Sequence, residues 1–250
     1  MRERIDTIPL TDAFLSGDEC PLCYLERQAE QRVIRYVLGS GASYMEPDVR
    51  GATDAAGFCR GHYEKMYTYG NMLGNALIIQ TYMACLMEEF ADLKENFTLP
   101  EKRPLIGKRK DAPPEMLTWL QKKNSSCFIC NRVQENMDRY YGTFFAMIKD
   151  PEFRSLVENS KGFCMRHFQE LLEKAQDQLP NSQREWFYPA VLKLMEENIL
   201  RMKLDLDWFV KKHDYTHAGE PWYNSQDAVS RAMQKMKGGH PADKPYKTDF

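Results

Sequence analysis

The chain has 250 residues, 43% apolar and 28% charged, with a formal net charge of −2. This is globular composition, enough for one large domain or two small ones, and 12% aromatic residues exclude a disordered chain. A charge balance this close to zero argues against a general electrostatic fit to nucleic acid or anionic lipid.

The opening MRERIDTIPLTDAFLSGDEC holds no apolar run of signal-peptide length and no small-residue cleavage site, so a cytoplasmic protein is expected. Cys20-Pro21-Leu22-Cys23 follows, then an amphipathic helix from Tyr24 to Leu38 closed by Gly39. An irregular stretch is expected as far as Gly57-Phe58-Cys59-Arg60-Gly61-His62. From Arg60 to about Phe97 the pattern predicts one long helix, with Gly70 and Gly74 marking a bend or a close crossing. Its most apolar window, Ala76 to Met87, spans about twelve residues where a bilayer needs roughly twenty, so no membrane span is expected. Cys85 in that window reads as a core thiol. Thr98 to Pro114 is rich in proline and carries Lys102, Arg103, Lys108, Arg109 and Lys110. It reads as a solvated linker, and no aromatic platform beside it supports nucleic-acid contact.

The second half repeats the first. Cys127-Phe128-Ile129-Cys130 leads into a helix from Asn131 to Lys149 that stops before Pro151. Gly162-Phe163-Cys164-Met165-Arg166-His167 leads into another from Met165, broken at Pro180, restarting after Asn181-Ser182 and running to about Lys212 with a bend at Pro189. Between the motifs, Pro151-Glu152-Phe153-Arg154 matches Pro47-Asp48-Val49-Arg50. Met137, Tyr140, Tyr141, Phe144, Phe145 and Ile148 form an apolar stripe expected to be core, with an adaptable groove for a small apolar ligand or partner helix as the alternative. From Asp214 the tail is expected to be irregular and laid over the helices through Trp222 and Tyr223. No stretch alternates like a strand, so the fold class is all-α. It is read as two pseudo-repeats, 1–97 and 115–213, joined by a linker at 98–114 and followed by a tail at 214–250. The long helices would also allow a homodimer.

Seven cysteines at CxxC and CxxH spacings, without a secretion signal, point to metal or redox chemistry rather than a disulfide framework. CxxC lets two thiolates bind one ion from a tight turn. CxxH places a thiolate and an imidazole on one face of a starting helix. Cys3His is a standard zinc set, so two zinc ions per chain are expected. The nearest-neighbour assignment puts Cys20, Cys23, Cys59 and His62 in one site and Cys127, Cys130, Cys164 and His167 in the other. An iron–sulfur cluster with one histidine ligand and metal-free redox dithiols are the alternatives. Four protein ligands leave no open coordination position, which favours a structural role over water activation.

Weaker signals resolve the same way. His62-Tyr63-Glu64 resembles the HxE of zinc deaminases, but its CxxC precedes instead of following, and Gln169 stands at the matching position. His213-Asp214-Tyr215-Thr216-His217 resembles a two-histidine zinc helix but sits where the helix should end, and reads as a solvated terminus. No phosphate loop, nucleophile elbow or Ser–His–Asp set is present, so whether the chain is an enzyme stays open. Three readings follow: a zinc-stabilised binding scaffold for a protein or small apolar ligand, a thiolate redox or metal sensor, and an enzyme of anaerobic metabolism with an iron–sulfur cluster.

The opening Ile8-Pro9-Leu10-Thr11-Asp12-Ala13-Phe14, the Cys20–Cys23 turn, Ser43-Tyr44-Met45-Glu46, the run Gly57 to Lys65, and the tail pieces Asp214-Tyr215 and Pro221-Trp222 together resemble the bacterial family of unknown function DUF6062. The resemblance covers nearly the whole chain. It implies a bacterial, anaerobic and cytoplasmic setting and supplies no substrate.

Overall fold

The computed structural model describes residues 6–98 and 115–239. The basic linker residues 99–114 and the last part of the tail lie outside them. Among the described residues there are eleven α-helices and no strand, as an all-α fold requires. They are α1 (Ile8–Leu15), α2 (Pro21–Leu38), α3 (Pro47–Ala56), α4 (Arg60–Tyr69), α5 (Met72–Glu95), α6 (Glu115–Ser125), α7 (Phe128–Met147), α8 (Pro151–Glu158), α9 (Met165–Gln178), α10 (Asn181–Lys212) and α11 (Ala228–Lys237). The helices α1–α5 and α6–α10 follow one plan: a short helix, CxxC, a long helix, a short helix, then a helix that begins within CxxH, and a final long helix.

Three expectations change. The stretches before each Gly-Phe-Cys are helical, not irregular: α3 and α8 each begin with proline at the first turn, where its missing N–H costs nothing. The long helix predicted from Arg60 is two helices, because Gly70 takes φ 94° and closes α4, and Asn71 then caps α5 by accepting from the Gly74 N–H at 2.9 Å. The tail is not wholly irregular either, since Ala228 to Lys237 forms α11 with Gly238 ending it. Its apolar residues recur at helical spacing, and Ala228 and Ala232 are buried. Elsewhere the expected ends are found. The Gly39 N–H bonds the Arg35 carbonyl at 2.8 Å after α2, Pro180 separates α9 from α10, and α10 continues through Pro189. Trp222 and Tyr223 lie on α10 as expected, with ring centroids 5.7 Å from Phe209 and 5.3 Å from Trp208.

The described residues form two compact units, 6–29 with 135–239 and 30–98 with 115–134. These units are not the two sequence repeats, since each takes parts of both, and the division falls inside α2 and α7. The first unit has an aromatic core. Phe14 of α1 meets Phe153 of α8 at 5.3 Å and Phe163 at 6.2 Å, and Phe144 meets Phe187 at 6.4 Å, mostly edge to face. Met137, Tyr141, Phe144, Phe145 and Ile148 are buried, so the stripe on α7 is core. In the second unit α3 packs on α5, with Thr81 donating to Asp54 at 2.8 Å, and Phe58 lies between Tyr63 and Phe128.

Candidate metal centres

The eight predicted ligands gather into two groups, and the pairing is crossed. Cys20, Cys23, Cys164 and His167 form one group within the first unit. Cys59, His62, Cys127 and Cys130 form the other within the second. The nearest-neighbour assignment is therefore corrected: each CxxC meets the CxxH of the other repeat. The reason lies in helix length. Eighteen residues of α2 and twenty of α7 carry the chain about 27–30 Å from its own CxxC before the next motif arrives.

Both groups sit where two helices begin. Cys20 precedes Pro21 at the head of α2, and the Cys23 N–H donates to the Cys20 sulfur at 3.4 Å. Cys164 caps α9 and its sulfur accepts from the His167 N–H at 3.4 Å. Cys59 caps α4, while the Cys130 N–H donates to the Cys127 sulfur at 3.5 Å at the head of α7. Two converging positive helix ends favour a cluster of thiolates.

The ligand atoms of each group all lie within 4.8 Å of one another. In both, the histidine turns Nδ1 to the sulfurs. His167 Nδ1 is 3.4 Å from Cys20, 3.4 Å from Cys23 and 3.3 Å from Cys164. His62 Nδ1 is 3.2 Å from Cys59, 3.2 Å from Cys127 and 3.3 Å from Cys130. A tetrahedral ion with Zn–S near 2.3 Å would set S···N at about 3.5 Å and S···S at about 3.8 Å. The observed sulfur pairs, 3.6 Å for Cys23–Cys164 and 3.8 Å for Cys59–Cys130, match that frame.

Carboxylates stand behind the histidines. Glu30 Oε1 lies 3.0 Å from His62 Nε2 and accepts from Lys65 at 2.5 Å. With an ion on Nδ1, that contact fixes the ring tautomer. Glu26, held by Arg166, lies 3.8 Å from His167 Nε2. No spacing in the sequence marks either glutamate.

Proton affinities in the two groups are strongly displaced. Burial alone would lower His62, but its contacts with Cys127 and Glu30 raise it to about 10. His167 likewise rises to about 10 against burial, through Cys164 and Cys23. Burial, then the neighbouring Cys127 and Cys59, push Cys130 up to about 12. Burial would raise Cys127 too, but the His62 contact and the Cys130 N–H bring it down to about 6. Cys20 is raised by burial and by Cys164 and Cys23, while Cys164 is lowered by Cys20 and Cys23 despite its burial. At neutral pH the metal-free groups therefore hold protons on His62 and Cys130 and on His167 and Cys20, at least two in each. An incoming ion must displace them. Metal affinity should rise with pH by at least about a hundredfold per unit near neutrality, with at least two protons released per ion. Calorimetric titration in buffers of different ionisation enthalpy checks this, and release of fewer than two protons per ion would contradict it.

Local structure explains the recurring Gly-Phe before each CxxH cysteine. Gly57 and Gly162 take φ 60° and 73°. The Gly57 carbonyl accepts from the Phe128 N–H at 2.8 Å, tying the start of α7 to the start of α4. A Cβ on Gly57 would stand 2.6 Å from the Tyr82 ring. Gly57→Ala should destabilise the protein by about 1–3 kcal/mol through backbone strain, with the clash in addition. Denaturant titration measures it, and an unchanged midpoint would count against this role.

The two centres differ in cover. Cys20, Cys23 and Cys164 are 0% exposed and His167 1%. Gly238, at the end of α11 with φ 80°, lies over them; a Cβ there would be 3.4 Å from the Cys164 sulfur and 3.5 Å from that of Cys23. The chain entering this centre is anchored. Asp18 accepts from the Cys20 N–H at 3.0 Å and from Gln234 of α11 at 2.6 Å. Beside it the buried Glu19 binds Arg201 at 2.5 Å, Arg231 at 3.5 Å and Lys235 at 3.5 Å. Burial would raise the Glu19 carboxyl; the Arg201 hydrogen bond and the charges of Lys235, Arg201 and Lys161 lower it overall. At the second centre His62 and Cys127 are buried, Cys59 is half-buried and Cys130 is exposed.

His213 and His217 do not form a metal group. His217 contacts Glu220 at 2.7 Å, and His213 bonds the Phe209 carbonyl at 2.8 Å. Cys85 is half-buried and joins neither centre.

The fold and these groups define an all-α protein built from a duplicated helical unit, with two crossed Cys3His groups able to hold a metal ion. The chain belongs to DUF6062, a family of unknown function, whose match covers residues 1–243. It is also similar to an uncharacterised 23.9 kDa protein of the xynA 3′ region of Caldicellulosiruptor sp. (strain Rt8B.4), 22% identical over 199 residues, covering 79% of this chain and 84% of that one. No solved structure matches the chain.

Proposed function

We propose that the protein is a cytoplasmic zinc-binding helical scaffold whose two Cys3His groups each hold one structural zinc ion. The observation that carries this is the ligand geometry: three sulfurs and one imidazole nitrogen within 4.8 Å of one another, twice. That spread suits a single tetrahedral ion, whereas the ligands of an iron–sulfur cluster bind separate irons and stand farther apart. With all four positions taken by protein, the ion joins helices and offers no vacant site for substrate. No helix among the described residues is long and apolar enough to cross a membrane. The scaffold role draws on α5, which leaves Leu73, Met83 and Met87 exposed for a protein partner or a second copy.

Elemental analysis with a visible spectrum tests the reading, on protein purified without oxygen or added metal. Two zinc ions per chain in a colourless sample are expected. Iron with sulfide and a brown absorbance would overturn it in favour of electron transfer or anaerobic catalysis.

A further inference from the structure

The same four ligand types in the same motifs sit in two different environments. Of the eight ligand residues six are buried, Cys59 is half-buried and Cys130 is exposed. Cys59 and Cys130 are also partners, with sulfurs 3.8 Å apart. A disulfide needs about 2.05 Å, so modest side-chain rotation on release of an ion would join them. At the covered centre, by contrast, Gly238 lies against the sulfurs and α11 is locked down by Lys235, which donates to the Glu19 and Lys161 carbonyls at 2.6 Å each. An oxidant reaches those sulfurs only after α11 opens. Local opening of that kind carries its own free-energy cost.

We propose that the Cys59/His62/Cys127/Cys130 centre is a thiol-oxidation site for peroxides, and that the Cys20/Cys23/Cys164/His167 centre is inert to them. The proposal rests on the zinc reading above. The Cys130 thiolate attacks the O–O bond of hydrogen peroxide, becoming a sulfenic acid as the other oxygen leaves as hydroxide. The Cys59 thiolate then attacks the Cys130 sulfur and displaces a second hydroxide. Two thiolates lose two electrons, the peroxide takes them up with two protons as two waters, and a Cys59–Cys130 disulfide forms. The zinc ion, left with Cys127 and His62, leaves as Zn²⁺. Because Cys59 and Cys130 come from different repeats, the disulfide keeps α4 and α7 tied together after the ion has gone. A thiol reductant and zinc restore the starting state.

The test uses the full chain carrying Cys85→Ser, which removes the unliganded thiol from the readout. Zinc content is measured first; hydrogen peroxide is then added, zinc release is followed with a chromogenic chelator, and disulfides are mapped by peptide mass spectrometry. The expected result is one zinc per chain released at least tenfold faster than the other, with a Cys59–Cys130 disulfide and reversal by thiol plus zinc. Two zinc ions leaving together, or a first disulfide that contains Cys20, Cys23 or Cys164, or that joins Cys127 to Cys130, would overturn this proposal alone. A protein that holds no zinc before oxidation would overturn the zinc reading and this proposal together. Maleimide labelling of the zinc-loaded protein gives an independent readout: Cys130 should be modified first among the six ligand cysteines, and first labelling of a cysteine at the covered centre would refute the assignment.

Discussion

Expressed as two separate chains, residues 1–98 and 115–250 should assemble into a one-to-one complex that holds two zinc ions and separates when a chelator removes them. The crossed pairing requires it. Each fragment supplies a CxxC to one centre and a CxxH to the other, so neither centre has its native ligand set within one fragment. Cys20 and Cys23 meet a histidine 147 and 144 residues away, and Cys127 and Cys130 meet one 65 and 68 residues back. The fragments are also joined by apolar packing, including Phe14 against Phe153 and Phe163 and Phe58 against Phe128. Neither fragment alone can bury those rings. Size-exclusion chromatography with light scattering and zinc analysis measures the outcome. Two independently folded fragments with one zinc each would show that the pairing is within repeats, and the fold as described would be wrong.

Cys164→Ser should reduce bound zinc from two ions per chain to one and unfold the unit built from residues 6–29 and 135–239. The magnitudes leave little room for partial effects. Structural zinc contributes about 10–16 kcal/mol of folding free energy in small domains. A whole domain is stable by only about 5–15 kcal/mol. Serine is a poor zinc ligand, and at this position it leaves three ligands, all buried, without their fourth. The cap of α9 survives the substitution, since a serine hydroxyl accepts from the His167 N–H as the Cys164 sulfur does, so the loss is that of the zinc ligand. Limited proteolysis should then cut within α9 and α11 while peptides of α3–α5 stay protected. By comparison Cys85→Ser should shift stability by no more than about 0.5 kcal/mol, since it serves neither centre. Retention of two zinc ions by Cys164→Ser would remove Cys164 from the ligand set.

The helices and the ligands were legible in the sequence for different reasons. Amphipathic runs such as 24–38 and 181–212 are long enough for a period of 3.6 to emerge, and Gly39 and Pro180 mark their ends. The eight ligands stand out because CxxC and Gly-Phe-Cys-x-x-His each occur twice in one order. What spacing could not reveal was the pairing. A CxxC is satisfied equally well by either CxxH, and only the rigidity of α2 and α7, which separate each CxxC from the next motif, breaks the tie. The short helices α3 and α8 have ten and eight residues, too few for a periodic pattern to show, although the proline at the head of each was visible. The cover supplied by Gly238 was not legible at all, because it joins the cap of a ten-residue helix to sulfurs more than seventy residues away in sequence.

The crossed arrangement also has a consequence for the order of events during synthesis. At translation rates of about 5–20 residues per second, roughly 3–13 s pass between the appearance of His62 and that of Cys127. Throughout that interval the emerging chain displays Cys20, Cys23, Cys59 and His62, a complete tetrahedral set of the right composition but the wrong pairing. A zinc ion captured then would hold the first repeat in a closed loop that has to open before either native centre can form. The centre containing Cys59 and His62 can close once Cys130 emerges, but Cys20 and Cys23 must wait for His167. Refolding in the presence of excess zinc should therefore be slower than refolding followed by zinc addition, a kinetic trap set by the sequence distance between partners rather than by the strength of their bonds.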